Sequence, residues 1–361
     1  MKVVFLGLSI FDQVGGIQRY SKDFLMSLSY QRIEHISISL HDHTKTDQIN
    51  YFGCNGSKVK FILKILRYTK SADIVVWNHI SIGIIYYFLR LFLVTKKNIL
   101  LVYGTEVWLK NLSHIKLRAL QSFSHICSIS EYTKNEIIKT HGINPNIFSL
   151  LPCTIINKNW GESSNPYAKK NINILTISRL NLEPKIKAIY RILDVIPELL
   201  SQGFNVHFTI IGSGTEKQNI KEYAANKDIS KNISLLDYVE NTQPYLEHCD
   251  LFALISEVEG FGIVFLEAMQ FGRCCISASD CGSDDVVIDG KTGFTINVND
   301  PNDLKRKISI LCKDKKLREV MGNNGRRLFE KKFIFKKFSL KQMSLLHKYG
   351  LIPNNEDGGD Y

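Results

Sequence analysis

The chain has 361 residues, 44% of them hydrophobic, and 46 Lys and Arg against 35 Asp and Glu give it a net charge of +11. That length exceeds one typical core and fits two α/β domains. The eight cysteines form no C-x-x-C pair and no metal spacing with His, which excludes a disulfide framework and points to buried thiols in a reducing compartment. The first residues enter a strand without a cleavable signal pattern, which argues against secretion. The longest apolar stretch, residues 80–94, is interrupted by Arg90 and falls short of the ~20 residues that span a bilayer, so it reads as a buried or interfacial helix. The charge calls for an anionic partner, and nucleic acid, anionic lipid and nucleotide-bearing substrates all qualify.

In chain order, residues 2–8 read as a first strand. Residues 13–20, with the pair Gly15 and Gly16, lead into a helix through Leu28. Such a pair suits close approach of a ligand to the backbone, with a plain tight turn as the alternative; the dinucleotide fingerprint G-x-G-x-x-G is absent. Strands at 36–40, 74–77, 99–102 and 126–128 alternate with helical patterns, the rhythm of a doubly wound parallel sheet. His41-Asp42-His43 lacks a third ligand and reads as solvated loop. Tyr103-Gly104-Thr105-Glu106-Val107-Trp108 follows a strand at its carboxyl end, where open α/β sheets bind ligands. Ser130 is placed to cap a helix. Leu151-Pro152 closes this half, and the polar stretch 157–171 reads as a linker.

The second half opens with a strand at 173–178 that delivers Arg179, with Lys187 eight residues on. A strand at 208–211 runs into Gly212-Ser213-Gly214, and the next strand is read at 235–239. After the apolar run 251–255, the bend Glu259-Gly260-Phe261-Gly262 opens a helix with Ile263, Leu266 and Met269 on one face. Strand, glycine loop and helix N-terminus together make an anion site. Glu259 in the loop and Glu267 about two turns along the helix would address different parts of one elongated ligand, and a nucleotide sugar has that shape. A strand at 275–278, a turn through Gly282 and an edge strand at 294–298 follow. Residues 326–341 hold seven Lys and Arg, one acid, and Phe329, Phe333, Phe335 and Phe338. This segment is read either as a membrane or nucleic-acid patch or as a terminal helix packed on the N-terminal domain.

The run Glu259-Gly260-Phe261-Gly262-Ile263-Val264-Phe265-Leu266-Glu267 resembles the E-x(7)-E motif of retaining glycosyltransferases of the glycogen-synthase-like family four. Those enzymes use the glycosyltransferase B fold. The resemblance covers nearly the whole chain and is densest over 173–303. It implies that Glu259 meets hydroxyls of the donor sugar and Glu267 the nucleotide ribose, with Gly260, Phe261, Gly262, Ile263 and Val264 lining the donor site. It implies that Gly15 and Gly16 face the donor phosphates, that Gly212 and Gly214 belong to the nucleotide-binding domain, and that Arg179 and Lys187 hold the diphosphate, with Ala188 where the family has Gly. Tyr103–Trp108 is similar to the family's H-G-x-E-x-W segment with Tyr103 in the His position, which implies acceptor-side or sugar contacts for Tyr103 and Glu106. Cys281–Val287 resembles a G-G-x-x-E-V-V turn in which Cys281 and Asp285 replace the first Gly and the Glu.

The expected architecture is therefore α/β, two Rossmann-like doubly wound domains about a central cleft. An acceptor-side domain spans 1–160, a nucleotide-sugar domain 171–330 and a returning C-terminal helix 331–352, with a disordered tail at 353–361. The expected reaction is transfer of a sugar from a UDP- or GDP-sugar to a hydroxyl of a saccharide or lipid-linked acceptor, with retention, in bacterial cell-surface polysaccharide synthesis. Arg179, Lys187 and Glu259 carry catalysis, without metal or cofactor, by displacement on one face of the sugar with the leaving phosphate taking the acceptor proton. The expected place is the cytoplasm, with peripheral contact to an anionic membrane and no nucleic-acid partner. The alternatives are a nucleotide-sugar epimerase of the same fold and a non-catalytic nucleic-acid-binding protein.

Overall fold

Short apolar runs become the strands of two all-parallel sheets. A computed structural model describes residues 1–43, 50–93, 97–156, 161–168, 171–181 and 183–348, with only the backbone for 183–187. The expected tail at 353–361 lies outside the described residues, as do parts of the 157–171 linker. The chain divides into two compact units, Met1–Ile156 together with Ile334–Tyr361, and Asn157–Phe333.

The first unit runs β1 (Lys2–Gly7), α1 (Gly16–Tyr30), β2 (Glu34–Ser39), β3 (Tyr51–Gly53), α2 (Lys58–Tyr68), β4 (Ile74–Trp77), α3 (Ile80–Leu89), β5 (Lys97–Val102), α4 (Thr105–Trp108), α5 (His114–Ser122), β6 (His125–Ser128), α6 (Glu131–His141) and β7 (Phe148–Leu150). The sheet order is β3-β2-β1-β4-β5-β6-β7. Its inner strands are covered on both faces, which is why β1 and β4 read as unbroken apolar runs rather than alternating ones. Val4, Leu6, Val75 and Trp77 pack in one core cluster with Phe61 and Ile65 of α2, Ile80 of α3, Leu120 of α5 and Ile137 of α6. On α1, Phe24 meets Phe5 of β1 at 5.3 Å between ring centroids.

The second unit runs β8 (Ile172–Ile177), α7 (Glu183–Ser201), β9 (Val206–Ile211), α8 (Lys217–Asn226), β10 (Ile233–Leu236), α9 (Gln243–His248), β11 (Leu251–Leu254), α10 (Ile263–Gln270), β12 (Cys274–Ala278), β13 (Gly293–Ile296), α11 (Pro301–Lys313) and α12 (Lys315–Lys332). The order is β10-β9-β8-β11-β12-β13, again parallel. Helix α12 backs α10, where Met269 fills the space left by the missing side chain of Gly325. All eight cysteines are free and buried.

The last helix, α13 (Phe335–Lys348), belongs to the first unit and lies on α1. Phe338 packs edge-on against Tyr20 at 5.7 Å. The Ser27 and Ser339 hydroxyls share a 2.5 Å hydrogen bond, and the Gln342 side chain donates to the Phe24 carbonyl at 3.1 Å. Phe329, Phe333 and Phe338 are all buried, and Phe335 is half-buried against Tyr30. Phe329, Phe333 and Phe338 are thus core residues, withdrawn from any bilayer or base.

Phe338 supplies the central apolar contact between α13 and α1. Phe338→Ala should lower the stability of the first unit by about 3–5 kcal/mol, the range for a buried Phe truncation. Urea unfolding followed by circular dichroism reads this directly, and a loss under about 1 kcal/mol would show that α13 contributes little to the unit.

Candidate functional site

In the second unit the chain leaves β8 to build β9 and β10 on one side, then returns to build β11, β12 and β13 on the other. β8 and β11 are neighbours, with Ile174 opposite Leu251. This is a topological switch point, where open α/β sheets leave a crevice beyond the carboxyl ends of the strands. The loop after β8 carries Arg179, and the loop after β11 carries Glu259.

Arg179 is exposed, and its guanidinium makes no hydrogen bond or ion pair among the described residues. Its backbone, by contrast, is clamped. Ser178 N–H donates to Ile211 O at 3.0 Å, Leu180 N–H to Ser213 O at 3.0 Å, and Glu216 N–H to Leu180 O at 3.1 Å. A Cβ on Gly212 would strike the Ser178 carbonyl oxygen, and one on Gly214 the Leu180 backbone. The fold itself therefore requires glycine at both positions, and their work is to seat the Arg179 loop. Lys187 falls in α7, but its side chain lies outside the described residues.

The Glu259 loop is braced from two sides. Arg191 of α7 donates to Ile255 O at 3.2 Å and pairs with Glu257. Gly282 N–H donates to Glu259 O at 2.8 Å, and a Cβ on Gly282 would run into the Gly260 carbonyl. Gly262 takes φ +82°, a left-handed conformation that favours glycine, and starts α10 with no side-chain cap hydrogen bond. In that first turn Phe265 N–H donates to Gly262 O at 2.9 Å, and the positive end of the helix dipole lies at the loop that carries Glu259. Glu259 is half-buried.

Two expectations change here. Glu267 sits just over one turn into α10 rather than about two turns along, because the conformation of Gly262 delays the helix to Ile263. The Phe261 ring is buried 5.7 Å from Phe333, so only its backbone can line a donor site. Ile263, Val264 and Glu267 share the half-buried face of α10, while Phe265, Leu266, Ala268 and Met269 fill the core.

The first unit has its own switch point, between β1 and β4. Gly15 and Gly16 lie at the start of α1. Gly15 is extended at φ 174°, and a Cβ there would meet only the end of the Gln18 side chain, so the fold makes no demand for glycine at that position. The preceding residues are held by Asp42, which is fully buried rather than solvated. Its carboxylate accepts from Ser9 Oγ, from Ile10 N–H at 2.7 Å, from Phe11 N–H at 2.8 Å and from Tyr51 Oη at 2.7 Å. Burial alone would raise the Asp42 pKa, but these hydrogen bonds outweigh it and hold the group below the usual carboxylate range.

Tyr103 is buried. Its hydroxyl donates to Asn78, its ring meets Tyr20 edge-on at 5.4 Å, and its N–H donates to Glu106 Oε1 at 2.6 Å. Burial pushes the Glu106 pKa up. The Tyr103 side chain is therefore committed to the core rather than presented to a sugar. His79, at the end of β4, caps α3 by accepting the Ser81 N–H at Nδ1, 3.0 Å away. Burial, with Lys116 nearby, lowers its pKa to about 4. Arg179, Glu259, Glu267, Gly212 and Gly214 thus follow the carboxyl ends of β8, β9 and β11 in the second unit; Gly15, Gly16, Tyr103 and Glu106 belong to the first. Sequence reasoning passed over Asp42, His79 and Arg191. A polar residue directly after a strand beside a switch point was the one available signal for the first two.

Two parallel α/β units, each wound about its own switch point, make up the glycosyltransferase B fold, and comparison with solved structures agrees. A crystal structure of Anabaena HepE in complex with UDP and glucose matches with a TM-score of 0.80 at 16% identity, covering 96% of this chain and 100% of that one. Residues 159–328 match the family described as glycosyl transferases group 1. The chain is 28% identical over 221 residues to the capsular polysaccharide biosynthesis glycosyltransferase CapM of Staphylococcus aureus, covering 58% of this chain and 57% of that protein. It is 31% identical over 153 residues to an uncharacterized glycosyltransferase of Methanocaldococcus jannaschii, covering 42% of each. The chain thus spans about half the length of these curated relatives.

The environment of His79 has a measurable consequence on the acid side. Its folded pKa is lowered to about 4 from 6.5, so the unfolded chain binds the proton first as pH falls. Stability from the neutral ring is complete above pH 6.5 and should be lost between 6.5 and 4, by roughly 3 kcal/mol at most. His79→Asn keeps a capping side chain but does not titrate. Urea midpoints should fall less steeply across that window in the variant, and identical slopes would remove His79 as the source.

Proposed function

We propose that this protein is a retaining, metal-independent glycosyltransferase that moves a sugar from a UDP- or GDP-sugar to a hydroxyl of a saccharide or lipid-linked acceptor. Its setting is bacterial cell-surface polysaccharide synthesis. The observation that carries this reading is an exposed Arg179 after β8 together with the glycine-started α10 N-terminus after β11, with Glu259 before it and Glu267 one turn in, at the switch point of a domain that matches the group 1 glycosyltransferases. The UDP and glucose in the HepE complex make a UDP-sugar the first donor to test, and the name of CapM supports a polysaccharide pathway.

In this reading the donor diphosphate lies over the first turn of α10, with Arg179 and Lys187 as its cations. Cleavage at the anomeric carbon puts extra negative charge on the leaving phosphate. Fixed cations and backbone N–H groups that already point at that phosphate stabilise this charge without reorganising. The phosphate then takes the acceptor proton as the acceptor attacks on the face it leaves. Glu259 meets the sugar hydroxyls and Glu267 the ribose.

The division of labour between the two carboxylates is open to measurement by calorimetry with free UDP and GDP. Glu267→Gln should weaken binding of the preferred nucleotide by about 1.5–3 kcal/mol, roughly ten- to a hundredfold. Glu259→Gln should leave it nearly unchanged while abolishing transfer. Equal losses of nucleotide affinity in the two variants would sink these assignments.

Arg179 should matter more to the transition state than to the ground state. Arg179→Ala should lower kcat by roughly a hundredfold or more with a smaller change in KM, the scale for losing one preorganised charge-stabilising group. Chelator should leave the unmutated enzyme active. Activity that vanishes with chelator and returns with magnesium or manganese would mean that a metal ion does this work instead.

A further inference from the structure

We infer that a cavity on one face of the second sheet, walled by Tyr167 and Tyr245, is a binding site for a neutral saccharide, separate from the switch point. It begins from a break in the pattern of β8 and β9. On one side of these strands Ile174, Phe208 and Ile210 are fully buried core. On the other, Asn173 stands beside His207, and Thr209 beside Ser234 of β10, so polar side chains occupy a face that parallel sheets usually fill with apolar ones. Residues 166–168 and Tyr245 of α9 complete the walls around a volume of about 320 Å³. Every lining residue belongs to the second unit. Asn173 and His207 stand at the amino-terminal ends of their strands, and six positions of chain separate Asn173 from Arg179, up to roughly 20 Å at the rise of an extended strand. The proposed transfer does not use this cavity.

The chemistry of the lining selects the ligand. Asn173 is 5% exposed and Thr209 2%. Asn173 N–H donates to Asp250 Oδ2 at 2.9 Å and its side-chain amide N–H to Asn171 O at 3.2 Å, but the buried Oδ1 has no hydrogen-bond partner among the described residues. A buried acceptor without a donor is a cost to the fold, and a ligand hydroxyl in the cavity supplies the missing donor. The His207 ring lies 2.8 Å from Ser234 Oγ, and burial lowers its pKa, so it is neutral at pH 7. Tyr167 Oη donates to Tyr245 O at 3.2 Å, and burial pushes its pKa up. No lining residue then carries a formal charge, so the cavity has nothing with which to hold a phosphate or a carboxylate. It offers neutral donors and acceptors on its floor and two aromatic rings on its walls. A sugar ring, with hydroxyls around its edge and C–H groups on its faces, matches both. A nucleoside matches less well: the Tyr167 and Tyr245 rings cross at 83° with 6.1 Å between centroids, so they cannot clamp a flat base between parallel faces. The volume lies within the range of about 300–1,000 Å³ of small-molecule sites.

The test is saturation-transfer-difference NMR on the full chain, without any nucleotide, using methyl α-D-glucopyranoside, methyl α-D-galactopyranoside, N-acetylglucosamine and maltose as probes. The expected result is that at least one binds and saturates at roughly millimolar concentration, the affinity of a ligand of this size. Tyr167→Ala removes an aromatic wall contributed by a half-buried loop residue, and Thr209→Val removes one floor hydroxyl at nearly constant volume. Each should weaken that binding fivefold or more with an unchanged circular dichroism spectrum, and if the buried Thr209 variant fails to fold, the Tyr167 variant still decides. Glu259→Gln, at the switch point, should leave the binding as it is. No binding of any of the four probes would overturn the inference, and so would equal binding by the parent and the two cavity variants, since the sugar would then sit elsewhere. Binding of uridine or adenosine that Tyr167→Ala abolishes, with no saccharide bound, would also overturn it. No arm reads sugar transfer, so this result and that of the proposed activity stand apart.

Discussion

Backbone packed directly on backbone, at the carboxyl ends of β8, β9 and β11, is the constraint on which the second unit depends. Gly212 and Gly214 leave no room for a Cβ against the Arg179 loop, and Gly282 leaves none against the Glu259 loop. The same contacts satisfy the polar groups of those loops, as in the bonds from Leu180 N–H to Ser213 O and from Gly282 N–H to Glu259 O. Loop backbone that finds its partners in a neighbouring loop needs no covering helix. The crevice therefore stays open, and what it presents is the Arg179 side chain and the first turn of α10. A methyl group at Gly212 would act on Arg179 without touching any ligand.

The first unit solves a similar problem with a carboxylate. The segment after β1 is held by Asp42, reached through β2, and Tyr51 of β3 binds the same carboxylate. A buried charge without partners would cost several kcal/mol, yet four donors converge on this one, so it stays ionised and fixes the loop by direction as well as by contact. Asn78 plays a neighbouring part. It donates to Ser21 of α1 at 2.7 Å and accepts from Tyr103, tying the ends of β4 and β5 to the first helix. Glycine brings loops together where there must be no side chain, and the carboxylate does so where several N–H and O–H groups need one acceptor.

What could be read from the sequence follows from these physics. Strands buried on both faces are apolar runs bounded by turns, so β1, β4, β8, β9, β11 and β12 were legible to within two residues. The edge strands β3 and β7 have three residues each and too little pattern to register. Arg179 and Glu259 were legible because each directly follows an apolar run. Asp42 was not, since its partners Ser9, Ile10 and Phe11 lie 31 to 33 positions away and only the fold joins them. Phe261 misled because glycine on both sides made a ligand-facing loop of what is, at that ring, core. Residues 326–341 could be read two ways because one basic, aromatic stretch is two helices, broken between Lys332 and Phe335 and shared between the two units, and only the second of them packs on the first unit as a terminal helix.

The charge of the chain takes on a different meaning once it is divided between the units. Residues 157–333 hold 24 Lys and Arg against 23 Asp and Glu, while the remainder holds 22 against 12. The second unit is thus nearly neutral at +1, and the first carries +10. A diphosphate at the β8 and β11 switch point would be met by local placement, one exposed guanidinium and one helix N-terminus, rather than by the field of its domain. Those short-range elements are screened little by salt when a ligand covers them, whereas a net charge spread over the first unit acts at long range and fades with ionic strength. The two kinds of electrostatics therefore separate in experiment: salt should weaken whatever docks on the first unit far more than it weakens a nucleotide bound to the second.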